Sequence, residues 1–224
     1  MTMISRPPFF AALALAALLA GLLGGPHNQL DVSTIRWLAE VRHAQPQLTS
    51  FVAVLTQLGS IYVTLGLGLL AAFWLFWRGH RDRALLLAAA VIGERLMMDG
   101  LKLAIGRTRP EFETLPFMPA SSSFPSGHSG NSMAVFVAIA LIAVPPAWRR
   151  PALAVAIIAS MIVGVTRSFL GVHWPSDVIG GWSLGLLAAG LAVEAGRRSG
   201  VSGLEPEHEI VGRHRLPVDE DQSA

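Results

Sequence analysis

Cysteine is absent from the 224 residues. Disulfides, thiolate catalysis and cysteine-ligated metals are excluded, and the redox compartment cannot be read. Charge is scarce as well: 14% of residues are Asp, Glu, Lys or Arg, where a soluble domain carries about 25%. So few charges cannot cover a water-facing surface. Soluble enzymes and nucleic-acid-binding modules are set aside on that ground, as is disorder away from the chain ends. An excess of one sign is also lacking, because 17 basic and 15 acidic residues leave a net charge of +2. Lysine is nearly missing, and Lys102 is the one basic residue that is not arginine.

What is present is apolar, with 52% hydrophobic residues and a mean hydropathy of +0.52. Apolar stretches fall at 9–25, 50–77, 84–104, 129–147, 151–170 and 178–196, each near the roughly 20 residues that cross a bilayer as a helix. We expect an all-α polytopic membrane protein: a six-transmembrane-helix bundle over residues 1–198, then a polar, disordered cytoplasmic tail over 199–224. The first stretch also reads as a secretory signal peptide behind Arg6. Its long core, with no A-x-A site after it, favours a retained helix. Residues 28–47, with Asp31, Arg36, Trp37, Glu40 and Arg42, read as an amphipathic helix at the outer interface. Trp74 and Trp77 suit an inner interfacial belt and Trp174 an outer one, while Gly59, Gly66 and Gly68 suit close helix packing.

Arg6, Arg78, Arg81, Arg83, Arg149, Arg150, Arg197, Arg198, Arg213 and Arg215 all fall on one side of this topology, which the positive-inside rule makes cytoplasmic. The opposite, extracytoplasmic side nevertheless holds Arg36, Arg42, Lys102, Arg107, Arg109 and Arg167. That excess reads as functional.

Three outer segments carry the polar groups: Lys102 to Arg109-Pro110, Pro125-Ser126-Gly127-His128, and Arg167 through His173 to Asp177. The fourth and sixth helices both start on the outer side, with Pro125 and Pro175 suited to their first turns. Two helix N-termini, three cations (Lys102, Arg109, Arg167) and Ser126 would then converge on a volume suited to a phosphoryl group. His173 precedes Asp177 by four residues, so the carboxylate can fix one ring nitrogen and leave the other to attack phosphorus. His128 is placed to protonate the leaving oxygen. The fixed cations stabilise the transition state without a metal. Within the third helix, Arg95, Asp99 and Lys102 share a face and read as an ion-paired strut. His27, His43, His80, His208 and His214 show no ligand-like spacing.

These segments resemble the tripartite signature of the type 2 phosphatidic acid phosphatase superfamily, K-x6-RP, PSGH and SR-x5-H-x3-D. Every spacing is met, with Thr166 in place of the usual serine. The likeness covers about residues 50–195. It implies His173 as a nucleophile that becomes phosphohistidine, Asp177 as its orienting partner and His128 as the acid. Lys102, Arg109, Ser126, Gly127 and Arg167 would bind phosphate, with no cofactor and no metal. It implies a lipid phosphate as partner in the bilayer and a site on the outer face of the cell membrane. Undecaprenyl diphosphate ranks first, before phosphatidic acid, phosphatidylglycerol phosphate and lipid A phosphates. Transfer of the phosphoryl group to another acceptor is the alternative reaction. Arg107 is left between contact with the reacting phosphoryl group and contact with a lipid head group or the diphosphate. The soluble vanadium haloperoxidases of the superfamily do not fit this hydropathy.

Overall fold

The structure, a computed structural model, describes residues 7–111 and 121–204. Among them there is no strand; the chain forms α1 (Pro7–Leu23), α2 (Gln29–Ala44), α3 (Pro46–Leu55), α4 (Ile61–Trp77), α5 (Arg81–Ile105), α6 (Gly127–Ala138), α7 (Arg149–Phe169) and α8 (Pro175–Arg198). Each of the six apolar stretches is helical. Among the described residues, three helical runs are both long and apolar enough to cross a membrane: Pro46–Trp77, Pro146–Phe169 and Pro175–Arg198. The apolar helices Pro7–Leu23 and Gly127–Ala143 are shorter, and α5, at 25 residues, carries Glu94, Arg95, Asp99 and Lys102 among its apolar residues.

Local chemistry explains the boundaries. Asn28 caps α2 by accepting from the Leu30 and Asp31 amides at 2.9 and 3.1 Å, which satisfies donors that the first turn leaves open. Gly106, at φ +63°, ends α5 in the left-handed conformation that costs glycine nothing. The stretch expected as one helix over 50–77 is broken by a 3₁₀ turn at Thr56–Gly59, after which Ser60 caps α4. The turn has a packing reason. A Cβ on Gly59 would lie 2.3 Å from Val163 Cγ1 and 3.0 Å from the His128 carbonyl oxygen, so α7 and α6 press directly on it. Gly68 is likewise closed by Val91 at 2.8 Å, whereas Gly66 faces open space, and close packing holds at two of the three expected glycines.

The core is built around α6. Val135, Val137, Leu141 and Ile142 pack with Leu75 of α4 and Leu87 of α5, all nearly inaccessible. On its other side α6 meets α8 through small residues: a Cβ on Gly181 would fall 2.6 Å from the Ser126 carbonyl oxygen, and one on Gly185 2.5 Å from that of Gly130. The backbones can approach this closely only because side chains are missing there. α1 lies along α8.

Three expectations are revised. α2 exposes Trp37 and Leu30, as an interfacial helix should, but buries Asp31 and Arg42; Arg42 donates to the Phe169 carbonyl and ties α2 to the turn between α7 and α8. Trp174 is not in an interfacial belt. It is 3% exposed, and its Nε1 donates to the Thr108 carbonyl at 2.9 Å. Trp74 and Trp77 do face outward. Finally, Pro125 precedes the N-cap Ser126 instead of sitting in the first turn, while Pro175 does open α8. Residues 199–204 turn back on the bundle, where Arg83 and Arg197 hold the Ser202 and Leu204 carbonyls at 2.7 and 2.8 Å. The rest of the tail lies outside the described residues, as do residues 112–120.

Candidate active site

The three sequence segments meet at one end of the bundle. The turn at Gly171 (φ +70°) and Pro175 at the start of α8 hold His173 in a short connection with no helix of its own. Its side chain is 3% exposed and lies between opposite charges. Nδ1 is 3.5 Å from Asp177 Oδ2, and Nε2 is 3.2 Å from Arg109 Nη1. A guanidinium can only donate, so Nε2 must present its lone pair and the ring proton belongs on Nδ1, facing the carboxylate. Burial pushes the His173 imidazole down to about 3, with Arg109 and Arg167 adding to the effect and Asp177 opposing it. The ring is therefore neutral, with its unprotonated nitrogen turned toward the cations.

Asp177 is fully buried. Its Oδ2 accepts from the Ser123 hydroxyl and, at 2.9 Å, from the Trp174 amide, while its Oδ1 takes Arg107 Nη1 at 2.7 Å. Its main-chain carbonyl accepts from Ser126 N at 3.0 Å, which joins the start of α8 to the start of α6. Arg109 donates to the Val172 carbonyl at 2.7 Å and the Ser121 carbonyl at 3.1 Å. Lys102 donates to the Ser122 carbonyl at 2.9 Å. Both cations are thus latched to the segment leading into Ser126. Arg167 is buried; Nη1 donates to Thr56 Oγ1 at 2.9 Å, and Nε meets no protein acceptor. A buried donor of this kind is what a phosphoryl oxygen would satisfy. His128 lies within electrostatic reach of Arg167, His173, Lys102 and Arg109. Gly127 approaches Lys102: a Cβ there would be 3.8 Å from Lys102 Cε. Ser126 is buried and accepts from Ser129 Oγ at 2.9 Å. All eight residues expected at the site are therefore at this end of the bundle.

The two helix N-termini differ from expectation. That of α6 has no side-chain cap and stays open to an anion. That of α8 is taken, because Ser176 N donates to Asp31 Oδ1 at 3.0 Å and Trp174 N to Asp177. One helix end, not two, faces the cations. The strut within α5 is half present. Arg95 pairs with Asp99 at 2.5 Å on a partly exposed face, but Lys102 turns to Ser122.

Three contributors escaped sequence reasoning: Asp31, which caps α8; Thr56, whose hydroxyl takes both Arg167 Nη1 and the Thr166 hydroxyl; and Ser123, which donates to Asp177. Arg107, expected to contact the substrate, instead pairs with Asp177. Asp31, Thr56 and Ser123 left no signal of these roles in the sequence. A cavity of about 780 Å³ opens on the Lys102 and Arg109 side, with Asp99 and Glu111 on its walls. Among the described residues no three His, Asp or Glu are grouped so as to hold a metal ion.

Residues 83–200 match the PAP2 superfamily, and the chain belongs to that superfamily. It is 40% identical over 156 residues to "Phosphatidylglycerophosphatase B" of Bacillus subtilis, a match covering 66% of this chain and 75% of the relative. It is 42% identical over 109 residues to a "Lipid A 1-phosphatase" of Rhizobium etli, with 44% of each chain covered. The crystal structure of a transmembrane PAP2-type phosphatidylglycerolphosphate phosphatase from Bacillus subtilis superposes with a TM-score of 0.72 at 29% identity, over 89% of this chain and 98% of that one.

Proposed function

We propose that the chain is a membrane lipid phosphatase that works through a phosphohistidine without a metal. The observation that carries this is the setting of His173, with Asp177 against one ring nitrogen and Arg109 against the other. The His173 Nε2 lone pair attacks phosphorus in line, and the bond to the leaving oxygen breaks as His128 delivers a proton to it. Asp177 holds the charge that grows on the ring. Lys102, Arg109, Arg167, Ser126 and the open α6 N-terminus hold the equatorial oxygens, Lys102 and Arg109 exchanging their present carbonyl partners for the phosphoryl group. Water, activated by His128, then attacks the phosphohistidine and releases phosphate.

The substrate is a lipid whose hydrocarbon stays in the bilayer. A second cavity, of about 310 Å³ with an apolar lining, runs beside the site between α1, α5 and α8, with Leu22, Leu101, Ile105, Phe124 and Leu187 on its walls. Phosphatidylglycerol phosphate now ranks ahead of undecaprenyl diphosphate, supported by the relatives that align over most of this chain. The site faces the extracytoplasmic side of the cell membrane. Single cysteines test that in this cysteine-free chain: Ser33→Cys on α2 is labelled by an impermeant thiol reagent in intact cells, and His80→Cys is labelled only after lysis. The reverse pattern would overturn the orientation.

The deciding assay is phosphate release by purified, detergent-solubilised protein in EDTA, on phosphatidylglycerol phosphate, undecaprenyl diphosphate and phosphatidic acid. Release that EDTA spares and His173→Ala loses, by about 10⁴-fold or more, is expected. Wild-type rates in His173→Ala, or loss of all release in EDTA, would sink the mechanism.

A further inference from the structure

Arg107 lies between two residues of the first motif but points away from the phosphoryl site. Nη1 donates to Asp177 Oδ1 at 2.7 Å and to Ser176 Oγ at 3.1 Å. Nη2 donates to the carbonyls of Ala20 and Gly21, at 2.9 and 2.5 Å, in the last turn of α1. A guanidinium has five N–H donors, four of them on the two Nη atoms, and these four are all spent inside the protein. The cation also lies 4.6 Å from the centre of the Phe124 ring, and the side chain is 6% exposed. No face is left for a lipid head group or for any phosphoryl group of a substrate, the roles that the sequence suggested.

Asp177 shows what the contact achieves. A carboxylate whose Oδ2 serves Ser123, Trp174 and the His173 ring could still swing about its last bond, because His173 Nδ1 is 3.5 Å away and not yet closed into a hydrogen bond. Arg107 takes Oδ1 and removes that freedom. Its own position is set by two main-chain carbonyls of α1 and by Ser176, which Asp31 of α2 holds at 2.5 Å. We propose that Arg107 is a positioning residue that locks the Asp177 carboxylate for His173, with α1 as the fixed anchor of the lock. The proposal rests on the reading of His173 and Asp177 given above. It also makes α1 part of the working enzyme, because cleavage after Gly25 would remove two of the four acceptors.

The experiment is a double-mutant cycle on the full-length protein in detergent, with phosphatidylglycerol phosphate as substrate. The chains are wild type, Arg107→Gln, Asp177→Asn and the double variant, each checked as monodisperse by size exclusion, with His173→Ala as the blank. Arg107→Gln is expected to lower kcat about 30-fold with KM within about 3-fold, since it removes no contact to substrate. Arg107→Lys should regain part of that loss. The double variant should fall no further than Asp177→Asn alone, because both changes act on one carboxylate. Losses that multiply in the double variant, or a raised KM with kcat kept, would overturn the positioning role. If Arg107→Gln does not fold, Arg107→Lys replaces it in the cycle under the same criterion. Full activity in His173→Ala would instead strike at the underlying mechanism, whatever the Arg107 variants do.

Discussion

Arginine gathers at both ends of this bundle, and the two ends use it differently. At the far end from the site, most partners are main-chain oxygens: Arg83 holds the Ser202 carbonyl, Arg197 that of Leu204, and Arg149 those of Val144 and Gly203, while Arg198 pairs with Glu194. Arg78 and Arg81 lie over the rings of Trp74 and Phe76. These arginines close helix ends or rest on apolar surface, and all but the buried Arg149 keep contact with water. At the site end, three buried or half-buried arginines reach side chains of the candidate site as well as main-chain carbonyls. Arg107 meets a carboxylate, Arg109 an imidazole, and Arg167 a hydroxyl, with its buried Nε left without a partner. A cation satisfied by carbonyls organises a chain end. One left partly unsatisfied, beside a neutral histidine, is what the proposed function needs for an anion.

The contrast is sharpest in a paired substitution. Arg167→Gln should lower kcat/KM by about 10²–10³-fold, the usual cost of deleting a charge-stabilising donor. Arg149→Gln, which is equally buried, should leave catalytic constants within about 2-fold and lower only the melting temperature. Steady-state kinetics and thermal melting of both variants check this; equal kinetic losses would erase the distinction between the ends.

Backbone contact comes next. Gly181→Ala puts a methyl group 2.6 Å from the Ser126 carbonyl oxygen and 2.9 Å from Ser129 Cβ, so α6 and α8 must part. About 1–3 kcal/mol of stability should be lost, with phosphate affinity falling too, because Ser126 and Gly127 move. Gly66→Ala, which meets nothing within 4 Å, should be silent in both.

A pH scan tests the buried histidine. The unfolded imidazole takes its proton near 6.5, whereas in the fold burial delays this to about 3. Between those values the unfolded chain binds more protons, so stability falls as pH drops below 6.5, by up to about 1.4 kcal/mol per pH unit. Melting of the wild type from pH 7.5 to 5 should show that slope, reduced in His173→Asn. The smallest effect is Thr56→Val, which removes the acceptor of Arg167 Nη1: kcat/KM should fall about 5-fold, in line with one hydrogen bond of about 1 kcal/mol.

Much of this architecture was legible in the chain. Apolar runs of bilayer length marked the helices, and three spaced motifs marked the site, because both signals are local. What escaped was held by distant partners. Asp31 reaches Ser176 across 145 positions and Thr56 reaches Arg167 across 111, and on a helix surface either reads as ordinary polar decoration. Trp174 misled for a related reason. An indole near a membrane boundary looks the same in sequence whether its N–H meets water or, as here, the Thr108 carbonyl. The break at Thr56–Gly59 was hidden inside an unbroken apolar run, since its cause is the press of Val163 and His128 from other helices.

The anchoring of Arg107 on the last turn of α1, with α1 laid along α8, has a consequence for biosynthesis. On the proposed mechanism, α1 and the later-made α8 must meet before His173 is aligned. An intermediate of membrane insertion that still lacks α8 then also lacks His173 and Asp177 in place, and stays chemically silent. Under that mechanism hydrolysis begins only once α8 has closed on α1.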